Sequence, residues 1–193
     1  MNYEDMDRET LIKILREKDI MLKRLCMERE RLNYYAGTDV MTGVLNRRSG
    51  LELLNKEFNV SKMGNKNFVV CFVDVDELKT INDKFGHQEG DKVLIDTAEI
   101  LKESIRKTDF IIRMGGDEFL MVFPETTIKE AYRIWNRIDR RLKKFNKNSK
   151  NYNLSLSFGF CEYKKGDKMS VESLIKTADF KMYSDKLHKK KRL

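Results

Sequence analysis

The chain contains no run of apolar residues long enough to cross a bilayer, because a spanning helix needs roughly 20 in succession. Its first residues, MNYEDMDRETL, are acidic and lack the apolar stretch of a secretory signal. Any membrane association therefore needs a partner or a further segment. Cysteine is scarce: Cys26, Cys71 and Cys161 are odd in number and fall in no metal-binding spacing. They read as free thiols in a reducing, cytoplasmic setting. There is no internal repeat, and the only low-complexity segment is the terminal KLHKKKRL.

What is present suits one globular domain plus an appendage: 193 residues, 40% apolar and 36% charged. The net charge of +8 points towards nucleic acid only at first sight, since without the five Lys and Arg of KLHKKKRL it falls to about +3. That tail reads as a solvated helix end, with a phosphate-facing or membrane-surface role as the alternative. No nucleic-acid partner is expected.

Residues 8–35 read as one charged helix. Leu11, Leu15, Lys18, Leu22, Leu25, Arg29 and Leu32 follow steps of four and three, the seam of a coiled coil. Lys18 and Arg29 interrupt it. Such a stripe is marginal alone, so a parallel homodimer through this helix is expected, with packing back on its own domain as the alternative. Gly37 can end the helix, and Thr38 or Asp39 can cap the segment after it. The boundaries are thus residues 1–36 for the helix and 37–193 for the body.

Within the body, NFVVCFVDVD is a short continuous apolar run, hence a strand buried on both faces. Helices are expected around 77–86 and 90–106, a hairpin over 109–123 and a helix over 127–146. In NLSLSFGF, Leu154, Leu156, Phe158 and Phe160 alternate at strand period. A last helix covers about 170–188. The predicted class is a mixed α/β (α+β) sandwich with an antiparallel hairpin and helices on the sheet.

The hairpin tip carries Gly115, Gly116, Asp117 and Glu118. The glycines supply positive φ for a turn, which leaves the two acids unexplained. A second acidic pair, Asp74 and Asp76, ends the buried strand, with both side chains on one face if the strand continues through them. If the hairpin pairs beside that strand, Asp74 meets the Asp117–Glu118 turn. Crowded carboxylates repel unless a cation sits among them, and an oxygen-only donor set suits Mg²⁺ with open positions for phosphates. Bare glycine backbone lets a ligand approach closely. Lys79, Asn82, His87 and Asp91, lying between the two acidic pairs, can bind phosphate or a base edge, although each alone also fits an ordinary surface position.

These residues resemble the GGDEF domains, the bacterial diguanylate cyclases. The resemblance is carried by GGDEF itself (115–119), TDVMTGVLNRR (38–48), FVDVDELKTINDKFGHQEGDKVL (72–94), SFG (157–159) and ADFKMYSDK (178–186), in order over roughly 38–188. It implies a palm-like nucleotidyl cyclase sheet and the reaction of two GTP to cyclic di-GMP and two pyrophosphates. By resemblance, Asp74, the Val75 carbonyl, Asp117 and Glu118 hold two Mg²⁺ ions, with Mn²⁺ as the alternative. Asp117, Glu118 and Lys79 are the implied catalytic residues, Asp117 taking the 3′-OH proton. Asn82 and Asp91 match guanine-reading positions, Lys79 and His87 the phosphate or ribose side. Lys186 matches a triphosphate lysine, and Lys190 is the candidate for a second basic contact where the family pattern departs. Arg106 and Asp109 match an RxxD site at which the product inhibits. The resemblance also implies dimeric action and control by an upstream sensor or partner. Two other readings stand beside it: a non-catalytic receptor for cyclic di-GMP or GTP, and a dimerisation module led by the coiled coil.

Overall fold

The computed structural model describes residues 6–149 and 151–191, the side chains of 30–35 excepted. Leu32 of the expected seam and Arg192 of the basic tail lie outside that description. The chain divides after Gly37 into two units.

The first unit is helix α1, Arg8–Gly37. Asp7 caps it: Oδ1 accepts from the backbone N–H groups of Glu9 and Thr10, each at 2.9 Å, and Oδ2 from the Thr10 hydroxyl at 2.6 Å. Leu15, Leu22 and Leu25 on the expected seam are 61%, 58% and 56% exposed. An apolar stripe so open on so long a helix is what a second helix covers in a coiled coil.

The second unit is a five-stranded sheet between two helical layers. Its strands are β1 (Leu45–Asn46), β2 (Phe68–Val75), β3 (Phe110–Gly115), β4 (Glu118–Pro124) and β5 (Leu156–Tyr163), in the order β1-β3-β4-β2-β5. All contacts are antiparallel except β1 with β3. Every residue of β2 is buried, as its unbroken apolar run requires of a strand covered on both faces. Period-2 alternation divides its side chains between two cores. Val69, Cys71, Val73 and Val75 pack with α3 (Leu78–Phe85), α4 (His87–Lys102) and α5 (Ile128–Asn148). Phe68, Val70 and Phe72 pack with α2 (Arg47–Met63) and α6 (Val171–Lys190). Each such side chain taken fully out of water contributes about 1.5–3 kcal/mol.

Several features depart from the sequence reading: the helix expected over 90–106 runs over His87–Lys102, and Gly37 is the last residue of α1 rather than a stop after residue 35. Helix α2 fills a stretch to which no element was assigned, and its cap is Asn46, whose side chain accepts from Ser49 N–H, rather than Thr38 or Asp39. Asp39 instead closes the preceding turn, accepting from the backbone N–H and hydroxyl of Thr42. The strand of 153–160 also begins later and runs further, to Tyr163. Helix α6 lies close on it at Gly159, where a Cβ would stand 2.2 Å from both Ala178 O and Met182 N. That contact brings the end of α6 to the end of β2.

Candidate active site

Asp74, the last but one residue of β2, lies directly opposite Glu118, the first of β4. Directly opposed residues on neighbouring strands share a face, here the one covered by α2 and α6. The ladder continues past them, with Val75 N–H donating to Asp117 O at 3.1 Å. The hairpin tip is thus pinned beside the end of β2, and Asp74, Asp117 and Glu118 converge as the sequence anticipates. Gly116 has φ +50° and Gly115 +152°, and a Cβ at either would meet nothing within 4 Å. The turn therefore needs glycine for its backbone and leaves open space in front of the acids.

Burial raises the carboxyl pKa of Asp74; the Lys186 ammonium counters this, and Asp117 and Asp76 add to the rise. Burial likewise raises Glu118, reinforced by Asp117, Asp179 and Asp74. Mutual repulsion of this kind marks a place that lacks positive charge. Part of that charge comes from α6: Lys186 Nζ lies 2.5 Å from Asp74 Oδ1. The donors are all oxygen, which suits a hard divalent cation. Among the described residues, however, no three Asp, Glu, His or Cys side chains stand in a ready-made metal-holding arrangement. The ammonium occupies Asp74 in its place.

Asp76 behaves differently from Asp74. Strand β2 ends at Val75, so the condition for one shared face fails. The Asp76 carboxylate turns to β5, accepting from Ser155 Oγ at 2.5 Å and Ser157 Oγ at 2.6 Å. Lys189 lies 3.6 Å from it and 3.0 Å from Asp185. The basic tail is therefore not simply a solvated end: Lys186 and Lys189 are bound into the acidic cluster. Lys190 is exposed and lines, with both of them and Asp76, Glu77, Asn153 and Ser155, a cleft of 310 Å³. Glu77 enters α3 with φ +59°, a left-handed conformation unfavourable for a side chain with Cβ.

Helices α3 and α4 meet at Gly86, φ +86°. Asn82 presses against Gly90, where a Cβ would stand 1.8 Å from Asn82 Oδ1, and that oxygen is buried without a hydrogen-bond partner among the described residues. An orphan acceptor of this kind calls for a donor from outside the fold. Asp91 follows at once, exposed, as are Lys79 and His87.

Arg106 and Asp109 sit at the other end of the hairpin, roughly 20 Å along β3 from the glycine turn. Asp109 is buried: its Oδ2 accepts from Arg106 N–H at 3.0 Å, and its Oδ1 has no partner among the described residues. Burial raises its pKa, against the pull of the Arg106 N–H and the Arg106 and Arg137 charges. Arg106 lines a 530 Å³ cleft with Leu53, Glu57 and Glu125. Two groups that the sequence reading passed over complete the picture. Arg113 donates from Nε and Nη2 to Gly116 O at 3.2 and 2.9 Å, and from Nη1 to Asp39 at 2.9 Å, bracing the turn against the 38–44 loop. Lys189 is the other; both were hidden among surface-type charges, although Arg113 stands only two residues before the glycines.

A family profile described as "Diguanylate cyclase, GGDEF domain" matches residues 36–192. The chain belongs to that family. Among curated GGDEF relatives, it is 32% identical over 155 residues to the probable diguanylate cyclase DgcJ of Escherichia coli, covering 80% of this chain and 30% of that protein. It is 33% identical over 150 residues to the E. coli diguanylate cyclase DosC, covering 76% and 32%. The chain thus spans about a third of the length of these relatives. The coiled coil and GGDEF domain of Caulobacter crescentus DgcB, solved in complex with c-di-GMP, superimposes with a TM-score of 0.80 at 26% identity, covering 93% of this chain and 95% of that one. Diguanylate cyclase SiaD of Pseudomonas aeruginosa, solved with its activator SiaC, gives 0.74 at 26% identity, covering 93% and 69%. The fold expected from the GGDEF resemblance is the fold found.

Proposed function

We propose that this chain is a diguanylate cyclase, joining two GTP molecules into cyclic di-GMP with release of two pyrophosphates. The observation that carries this reading is the pairing of Asp74 with Glu118 across β2 and β4, beside Asp117 and an open glycine turn. Asp74, the Val75 carbonyl, Asp117 and Glu118 are the groups that would hold two divalent cations, Mg²⁺ or else Mn²⁺. Such ions, when bound, lower the pKa of a coordinated hydroxyl and neutralise charge on a leaving pyrophosphate.

The chain's own residues do the rest. Asp117 accepts the proton of the 3′-OH as that oxygen bonds to the α-phosphorus of the other nucleotide and the α–β bridge breaks. Asp91 accepts from guanine N1–H and N2–H₂, a donor pair adenine lacks, and Asn82 Oδ1 offers its unused acceptor to the same base. Lys186, Lys190, Lys79 and His87 bind phosphate and ribose. One domain carries one nucleotide, so two domains must face each other, and pairing of α1 raises their effective concentration. A homodimer through α1, and control of that helix by an upstream sensor or partner, accord with the same reasoning. Arg106 and Asp109 bind the product and inhibit the enzyme, since guanidinium suits both guanine and phosphate. The free thiols Cys26, Cys71 and Cys161 support a cytoplasmic setting. No helix among the described residues is long and apolar enough to cross a membrane.

Incubation of the purified chain with GTP and Mg²⁺ should yield cyclic di-GMP by mass spectrometry, and Asp117→Asn should lower the rate by about 100-fold or more. Cyclic di-GMP binding at Arg106 with no synthesis by the unaltered chain would replace the enzyme by a receptor.

A further inference from the structure

The two lysines that α6 turns towards the end of β2 are held differently. Lys189 Nζ has several fixed partners: it donates to Leu156 O and Ser157 Oγ and pairs with Asp185 and Asp76. Lys186 Nζ has one hydrogen-bond partner among the described residues, Asp74 Oδ1 at 2.5 Å. That pair is largely out of water, with side chains 25% and 9% exposed. Asp117 and Asp76 act on the same ammonium. Among the described residues, Lys186 is thus the cation seated on Asp74, while Lys189 serves Asp76 and Asp185.

A carboxylate oxygen already bonded to an ammonium is a poor ligand for a divalent ion. The two cations, only a few ångströms apart in a partly buried setting, repel each other strongly. Lysine is well suited to give way, because its charge rides on a flexible four-carbon stem. The helix itself need not move: Gly159 and Lys189 keep α6 on β5.

We propose that Lys186 and a divalent cation exclude one another at Asp74, so that metal entry releases the lysine to the nucleotide's phosphates. In the nucleotide-free chain, Lys186 is the resident counter-ion of Asp74; once metal binds, the same ammonium becomes a phosphate ligand. Metal and triphosphate affinity are then linked through one side chain, and the linkage is reciprocal. The phosphate half of this exchange rests on the nucleotide-binding reading above; the exclusion at Asp74 does not.

The test uses metal alone. Mn²⁺ binding to the nucleotide-free protein, followed by electron paramagnetic resonance, should be about tenfold tighter in Lys186→Met than in the unaltered chain. Unchanged or weaker binding overturns the proposal, since a lysine that merely supports the fold would give that result. A second measurement leaves the protein unaltered. Amine-reactive ester labelling of Lys186, read by peptide mass spectrometry against exposed Lys84, should accelerate several-fold on adding Mn²⁺ and slow again on adding GTP. A labelling rate indifferent to Mn²⁺ also overturns it. Failure to make cyclic di-GMP would leave both metal-only results standing, and a null result in both would leave the cyclase reading untouched.

Discussion

Asp39 and Arg113 are 74 residues apart in sequence, yet their charges meet at 2.9 Å behind the glycine turn. Burial pushes the Asp39 carboxyl up, but hydrogen bonds from Thr42 and the Arg113 guanidinium outweigh it, so its pKa lies below the ordinary 3.8. A depressed carboxyl adds stability above its unfolded value, and that stability is lost as pH falls through the folded value. Asp39→Asn should therefore lower the melting temperature at pH 7 by roughly 2–6 °C. In a pH series of melts the gap to the unaltered chain should narrow below 3.8; a gap constant with pH would show that the ion pair is not its source. At the other end of the hairpin, Arg106→Ala should relieve product inhibition while leaving initial rates near those of the unaltered chain. Progress curves with added cyclic di-GMP check this, and unchanged inhibition would remove Arg106 and Asp109 from that role.

Among the elements, the contact of α6 with β5 is the most demanding. Gly159→Ala places a methyl group 2.2 Å from two backbone atoms of α6, which no rotamer change can relieve. A loss of about 2–4 kcal/mol, read from the denaturant midpoint, is expected, within the usual range for overpacking and backbone displacement. The sequence alone reveals β2, the hairpin and α5 because their apolar patterns are dense: eight consecutive buried residues in β2, and Ala131, Ile134, Trp135, Ile138 and Leu142 on one face of α5. Helix α2 escapes notice for the opposite reason. Its buried face is Gly50, Leu54, Phe58 and Ser61, apolar side chains in only two of four places, while Val60 and Met63 are exposed. In the site, adjacency along the chain betrays Asp117 and Glu118, the apolar run that it ends betrays Asp74, and family likeness brings in Lys186. The bond of Asp76 to two serines and the inward turn of Lys189 depend on pairing between distant segments, which no local pattern encodes.

At the level of the whole molecule, the proposed joining of two GTP by two facing domains would be governed by how often they meet. Removal of residues 1–36 should lower specific activity most at low protein concentration, and a dilution series of initial rates checks this. Rates per molecule that do not change with concentration in either form would end the case for assembly through α1. Leu22→Glu, aimed at the exposed seam, should shift sedimentation towards the monomer without altering the melting of the sheet domain.

The sheet order has a bearing on biosynthesis. Strand β2 is made early, yet its two neighbours, β4 and β5, emerge some fifty and ninety residues afterwards, and Lys186 later still. A ribosome-bound chain halted anywhere before α6 carries Asp74 without its cation and an uncovered apolar face on β2. Copies that stop short of α6 should accordingly be prone to clump, and Asp74 should gain its counter-ion only once that helix has been translated and docked.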